Sequence, residues 1–99
     1  MNEKQVNIDL QQFDNISLNL EILAEEAAEI IQIKSKIMRF GLDDYHPESK
    51  IINRKKLEEE LGHLEALVDI LIFHGIISKK GIKEGKQAKL AKLPKWYQK

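Results

Sequence analysis

Two acidic stretches wound into apolar helices constrain this chain more than any other feature. The first is Leu23-Ala24-Glu25-Glu26-Ala27-Ala28-Glu29-Ile30-Ile31 and the second is Leu57-Glu58-Glu59-Glu60-Leu61-Gly62-His63-Leu64. At roughly 100° per residue, Glu26 and Glu29 fall ~60° apart, on the side of a helix that also carries Ile22, Ile30, Ile33, Ile37 and Phe40. Glu60 and His63 share a face in the same way with Leu57, Leu64, Leu67 and Leu71. Each helix therefore aims two polar side chains at an apolar neighbour. An unpaired buried carboxylate is disfavoured by desolvation. The pattern consequently calls for a compensating cation, most simply a metal ion.

At 99 residues the chain is one domain long, 1–99, and alone would bury only about 60–68% of its unfolded surface. A composition 42% hydrophobic and 32% charged is that of a globular protein, and no apolar run approaches the ~18 residues of a membrane span. Met1-Asn2-Glu3-Lys4-Gln5 lacks the apolar core of a signal peptide, and the absence of cysteine removes disulfides and thiolate metal sites. A cytoplasmic location with no membrane contact is the expectation. The formal net charge is +0, yet Lys79, Lys80, Lys83, Lys86, Lys89, Lys92, Lys95 and Lys99 face only Glu84 in the last segment. Such a tail suits phosphates or an acidic partner surface; nucleic acid is the less favoured partner.

Residues 1–14 read as an extended arm or a short helix. Ser17 is a plausible N-cap for a first helix running to Phe40, and Gly41 suits the position just past its end. That helix carries a second apolar line, Leu20, Ala24, Ala27, Ile31 and Met38, so one hairpin partner cannot cover it. Leu42 to Ile52 holds turn residues, and Pro47 disfavours helix at His46. Asn53 reads as the N-cap of a second helix, which ends at Phe73 or His74 before Gly75 and carries Leu61, Val68 and Ile72 on its far face. Ser78 opens a weaker third helix, because Gly81 and Gly85 each cost about 1 kcal/mol relative to alanine, and Pro94 ends or kinks it. Residues 78–99 form this basic helix and tail. The expected fold is all-α, an antiparallel helical bundle completed by homo-oligomerisation.

Glu26, Glu29, Glu60 and His63 together make a hard, oxygen-dominated ligand set, which favours Mg²⁺ or Mn²⁺. The bland alternative is a solvated face of i,i+3 charges, and for Glu25, Glu58 and Glu59, off the apolar stripe, the two readings are balanced. His63 is a ligand or a satisfied core histidine. Lys36 and Lys56 lie within a turn or two of the carboxylates, and Arg39 and Arg54 near the helix ends bring the planar fork that suits phosphate oxygens. These four are candidate substrate contacts.

Glu25-Glu26-Ala27-Ala28-Glu29 resembles the E-E-x-x-E motif of the MazG-like all-α nucleoside triphosphate pyrophosphohydrolases. Glu59-Glu60-Leu61-Gly62-His63-Leu64 is similar to their E-E-L-G-D-L segment. Gln32, Lys36-x-x-Arg39-Phe40-Gly41, Asn53-Arg54 and Lys95-Trp96-Tyr97 extend the resemblance, to the short phage-like branch, over roughly Leu20 to Tyr97. It implies hydrolysis of an NTP or dNTP between the α- and β-phosphates, giving a nucleoside monophosphate and pyrophosphate. It further implies Glu26, Glu29 and Glu60 as Mg²⁺ ligands, Glu25 as the residue that orients or activates water, Asn53 among the substrate contacts, and a dimer or dimer of dimers. His63 stands where the family has aspartate. An imidazole offers one neutral nitrogen in place of anionic oxygen, so Mg²⁺ should bind less tightly and borderline metals relatively better.

The same histidine opens two rival readings. Glu60-Leu61-Gly62-His63 is an E-x-x-H pair, the ligand inventory of a ferritin-like di-iron carboxylate bundle once two copies assemble. A non-catalytic helical module that dimerises through the first helix is the other.

Overall fold

The computed structural model describes residues 8–98. Residues 1–7 of the expected N-terminal arm, and Lys99, lie outside the described residues. Within them the protein is all-α: a 3-10 turn at Leu10–Gln12, helix α1 at Ile16–Phe40, α2 at Asn53–Phe73, α3 at Lys79–Lys92, and a 3-10 segment at Leu93–Tyr97. The arm residues Ile8 to Asp14 thus contain a single turn of helix. None of the described helices is long and apolar enough to cross a membrane.

Helix α1 opens at Asn15, two residues before the expected cap at Ser17. Asn15 stands in extended backbone and its side chain accepts from the Leu18 N–H at 3.0 Å, satisfying one of the donors that a helix start leaves free. One turn on, the buried Asn19 side chain donates to the Phe13 carbonyl at 3.0 Å and ties the incoming chain to the helix. The end of α1 follows expectation. Gly41 adopts φ 96°, open to glycine at little cost, and its N–H returns to the Ile37 carbonyl.

Asn53 is not the cap of α2 but its first residue, and Ile52 occupies the cap position without a side-chain hydrogen bond. The Asn53 amide is committed elsewhere, donating to the Gly41 carbonyl at 2.9 Å from a buried position. Two backbone bonds reinforce that tie, Asn53 N–H to the Asp44 carbonyl and Arg54 N–H to the Leu42 carbonyl, both 2.8 Å. The connecting loop is therefore clamped at its base, with an isolated bridge between Tyr45 and Ile52 closing its neck. Helix α2 stops as expected at Gly75, φ 72°, where the Gly75 and Ile76 N–H groups return to the Ile72 and Leu71 carbonyls. His74, just past the last turn, donates from Nε2 to the Leu10 carbonyl at 3.1 Å and holds the N-terminal turn against α2.

Helices α1 and α2 pack as an antiparallel hairpin whose buried apolar residues are Ile33, Leu67, Ile70 and Leu71. The outer line of α1 is open to solvent, with Leu20 47%, Ile31 69% and Met38 74% exposed. Ser78 caps α3 as expected, accepting from the Gly81 N–H at 3.0 Å. A β-carbon on Gly81 would meet the Ser78 hydroxyl at 3.1 Å, so glycine keeps room for this cap. Helix α3 ends at Lys92, where Leu93 and Pro94 begin the 3-10 segment. No residue of α3 is buried.

Candidate metal centre and adjoining pocket

Where α1 crosses the first half of α2, three of the four expected ligands meet. Ligand atoms of Glu26, Glu60 and His63 all lie within 4.8 Å of one another. Glu60 comes from the buried stripe of α2 and is only 3% exposed. Glu26 is half-buried on α1, and His63, one turn beyond Glu60, leans over the cluster from its solvent side. His63 Nδ1 lies 3.2 Å from Glu26 Oε2 and 3.4 Å from Glu60 Oε2. Glu29, the fourth expected ligand, is exposed on α1 and is not among the three that converge. Glu25 is exposed as well.

The electrostatics of Glu60 carry the case for a cation. Its Oε1 faces the Lys56 ammonium at 3.4 Å, whereas its buried Oε2 makes no hydrogen bond and has only the His63 Nδ1 beside it, at 3.4 Å. A buried carboxylate oxygen left bare is disfavoured by about 1–3 kcal/mol or more. Burial pushes the Glu60 carboxyl up, but the neighbouring Glu26, the hydrogen bond and charge of Lys56 and the charge of His63 outweigh it, leaving the group below the ordinary carboxylate value. Glu60 is thus held ionised with one oxygen aimed into the cluster. His63 Nδ1 either carries a proton toward Glu26 or offers its lone pair to an ion; it cannot do both. Two carboxylates, one of them with an orphaned buried oxygen, and one imidazole fit a divalent cation.

Beside this cluster lies a pocket of about 460 Å³ between the C-terminal half of α1 and the clamped loop. Phe40, Tyr45 and Ile51 give it apolar lining, and Lys36, Lys56 and the acidic Asp44 give it charged lining. Lys56 connects the two features, since the same ammonium lines the pocket and touches Glu60. Of the other expected substrate contacts, Asn53 also lines the pocket while its amide is held by Gly41. Arg54 is engaged on the surface by Asp43 through two hydrogen bonds, 3.2 and 3.3 Å, and their charge attraction raises its already high pKa further. Arg39 is exposed, with its guanidinium 5.1 Å from the Phe40 ring centroid.

Helical periodicity locates the cluster but not the pocket wall. Tyr45, His46 and Ile51 looked like ordinary loop residues, and the one available signal was an aromatic and an apolar pair, Tyr45 and Ile51-Ile52, inside an otherwise polar connection. Lys50, in the left-handed region at φ 57°, turns the loop back toward α2 and donates its N–H to the His46 carbonyl at 2.9 Å. No protein-family model, curated protein or solved structure matches this chain.

Proposed function

We propose that the protein is a metal-dependent nucleoside triphosphate pyrophosphohydrolase of the MazG-like all-α kind, converting an NTP or dNTP and water to the monophosphate and pyrophosphate. The observation that carries this reading is the buried Glu60 Oε2, without a hydrogen bond, within the Glu26/His63 group, next to a pocket lined by aromatic residues and by Lys36 and Lys56. Glu26, Glu60 and His63 would hold the ion. Bound Mg²⁺ or Mn²⁺ supplies a Lewis acid and a template for phosphate oxygens. Lys36 and Lys56 neutralise phosphate charge at the mouth of the pocket, and Phe40 and Tyr45 offer aromatic surface to a base. Glu25, in the position that the family resemblance gives to water activation, is free on the solvent side to accept a proton.

The exposed outer line of α1 supports a homo-oligomer as the working form, since the hairpin alone buries only a small apolar core. The di-iron reading draws on the same Glu60/His63 pair. It predicts bound iron and an iron-dependent absorption band, and one metal analysis of the purified protein separates it from the first.

Incubation with a panel of NTPs and dNTPs plus Mg²⁺ or Mn²⁺, with products resolved by chromatography, tests the proposal. Monophosphate and pyrophosphate in equal amounts are expected. Orthophosphate as the first product, or no turnover with any nucleotide and either metal, overturns it.

A further inference from the structure

Lys56 belongs to two features at once, and they make opposed demands on it. Its ammonium lies 3.4 Å from Glu60 Oε1 and 4.0 Å from Glu59 Oε2, and the same side chain lines the pocket beside the cluster. Local helix chemistry does not account for its place. A cation in the first turn of a helix opposes the macrodipole, and lysine before glutamate at i,i+4 is the weaker order of that pair. Even so, the first turn of α2 holds no acid and carries Arg54, Lys55 and Lys56. Such departures from local rules concentrate at functional sites.

Glu60 supplies the reason. Its Oε1 is next to Lys56, while its Oε2 lies 3.4 Å from His63 Nδ1 within the Glu26/Glu60/His63 group. Both oxygens hang from one carbon, so an ion held by the group and an ammonium held by Oε1 are forced close together. Like charges a few ångströms apart near a protein surface repel strongly enough to change affinity by about an order of magnitude or more. The exposed pair with Glu59 offers the ammonium little. The pocket is the other side open to it, because the Lys56 side chain is 42% exposed and already forms part of that wall.

We infer that Lys56 is an exchangeable counter-ion. It neutralises Glu60 while no metal is bound; when a divalent ion enters the Glu26/Glu60/His63 group, its ammonium gives way and turns to the pocket, where it takes a phosphate oxyanion. Metal binding and phosphate binding are then coupled through one side chain, in addition to any direct bond between ion and phosphate. Lys36 lines the same pocket but among the described residues pairs with no carboxylate, so it has nothing to exchange. The inference rests on the metal-centre reading given above and not on which bond the protein hydrolyses.

Mn²⁺ and inorganic pyrophosphate are sufficient probes. Lys56→Met removes the competing charge and is expected to bind Mn²⁺ alone about tenfold more tightly than wild type, yet to bind pyrophosphate at saturating Mn²⁺ about tenfold more weakly. Opposite signs from one substitution are not what a merely structural lysine would give. Lys36→Met should weaken pyrophosphate binding and leave Mn²⁺ affinity nearly unchanged. Because Lys56→Met also loses a stabilising pair, a measurement on wild type stands beside it: acetylation of the Lys56 amine, read by mass spectrometry, should rise several-fold on adding Mn²⁺ while that of Lys79 on α3 stays constant. Mn²⁺ affinity unchanged or weakened in Lys56→Met, pyrophosphate affinity equal in the two proteins, or acetylation of Lys56 that Mn²⁺ does not raise overturns the exchange. None of these readouts measures hydrolysis. Tighter Mn²⁺ binding by Lys56→Met without turnover of any nucleotide by wild type would leave the exchange standing and remove the pyrophosphohydrolase reading; turnover with unchanged Mn²⁺ binding would do the reverse.

Discussion

The acidic turns of α1 and α2 start from similar material and end differently. Each places a pair of polar residues three apart within an apolar stripe, Glu26/Glu29 on one helix and Glu60/His63 on the other. On α2 the leading carboxylate is buried; on α1 it is half-buried and Glu29 is exposed. Local counter-charge differs in step with this. Lys56 lies one turn before Glu60 and reaches it at 3.4 Å, so the helix brings its own cation to the buried acid. In α1 the preceding turn offers Ile22 and Leu23, and Lys34 and Lys36 lie more than a turn beyond Glu29. A helix can bury a carboxylate where it can also pair it, and its unpaired acids stay at the rim.

The largest effect should come from removing the buried member. Glu60→Ala is expected to lower pyrophosphate release by more than ~100-fold, as loss of a metal ligand should exceed the 10–100-fold effect of losing its supporting partners, while helicity stays largely intact. Glu29→Ala should fall by much less in the same assay. Equal losses from the two would mean that α1 contributes both of its acids to the working site and would erase the contrast.

Stability sharpens the comparison next. Lys56→Met takes the counter-charge from a buried carboxylate and should destabilise by about 1–3 kcal/mol in urea unfolding. Lys36→Met, on the exposed face of α1, should change stability by less than about 0.5 kcal/mol. Similar values for the two lysines would show that burial of Glu60 does not depend on Lys56.

A pH series gives a smaller, signed effect. The folded-state pKa of Glu60 lies below its ordinary value of 4.5, so in acid the unfolded chain binds the proton more readily than the folded one. The contribution of Glu60 to stability is then fully present above pH 4.5 and is lost as pH falls through the folded value. Glu60→Gln, measured in a metal chelator, should flatten that acid limb of the melting-temperature curve. A limb as steep as that of wild type would assign it to other groups.

The smallest change concerns preference rather than rate. His63→Asp replaces the half-exposed imidazole with an anionic oxygen and should move metal affinity toward Mg²⁺ relative to Mn²⁺, since the harder ion gains more from carboxylate. Paired titrations of both proteins with the two metals check this. An unchanged preference together with a lower melting temperature would place His63 outside the ligand set.

Much of the architecture was legible in local chemistry. Gly41, Gly75 and Ser78 mark their helix ends because a positive φ or a side-chain cap is decided within a few residues. The starts of α1 and α2 were placed less well. Asn15 and Ser17 are both competent caps two residues apart, and it is the Asn15 side chain that accepts the Leu18 N–H. Asn53 has the composition of a cap, but its amide is drawn to Gly41, a partner twelve residues away that no local rule anticipates. The same division runs through the site. Glu26, Glu60 and His63 could be picked from helical periodicity, whereas the exposure of Glu29 and the pocket beside Lys56 depend on how the hairpin and its loop meet in space.

The clamp at the base of that loop has a consequence for how this site can be altered. Because Gly41, Leu42 and Asp44 are bonded directly to Asn53 and Arg54, the span between Tyr45 and Ile51 hangs from a closed ring and bears little of the hairpin's registration. Lengthening such a span is inexpensive, about 0.6 kcal/mol for each doubling of a flexible loop. The loop side of the pocket is therefore more replaceable than the ligand-bearing helices that form its other side, and a change there can be grafted in without disturbing what the carboxylates hold.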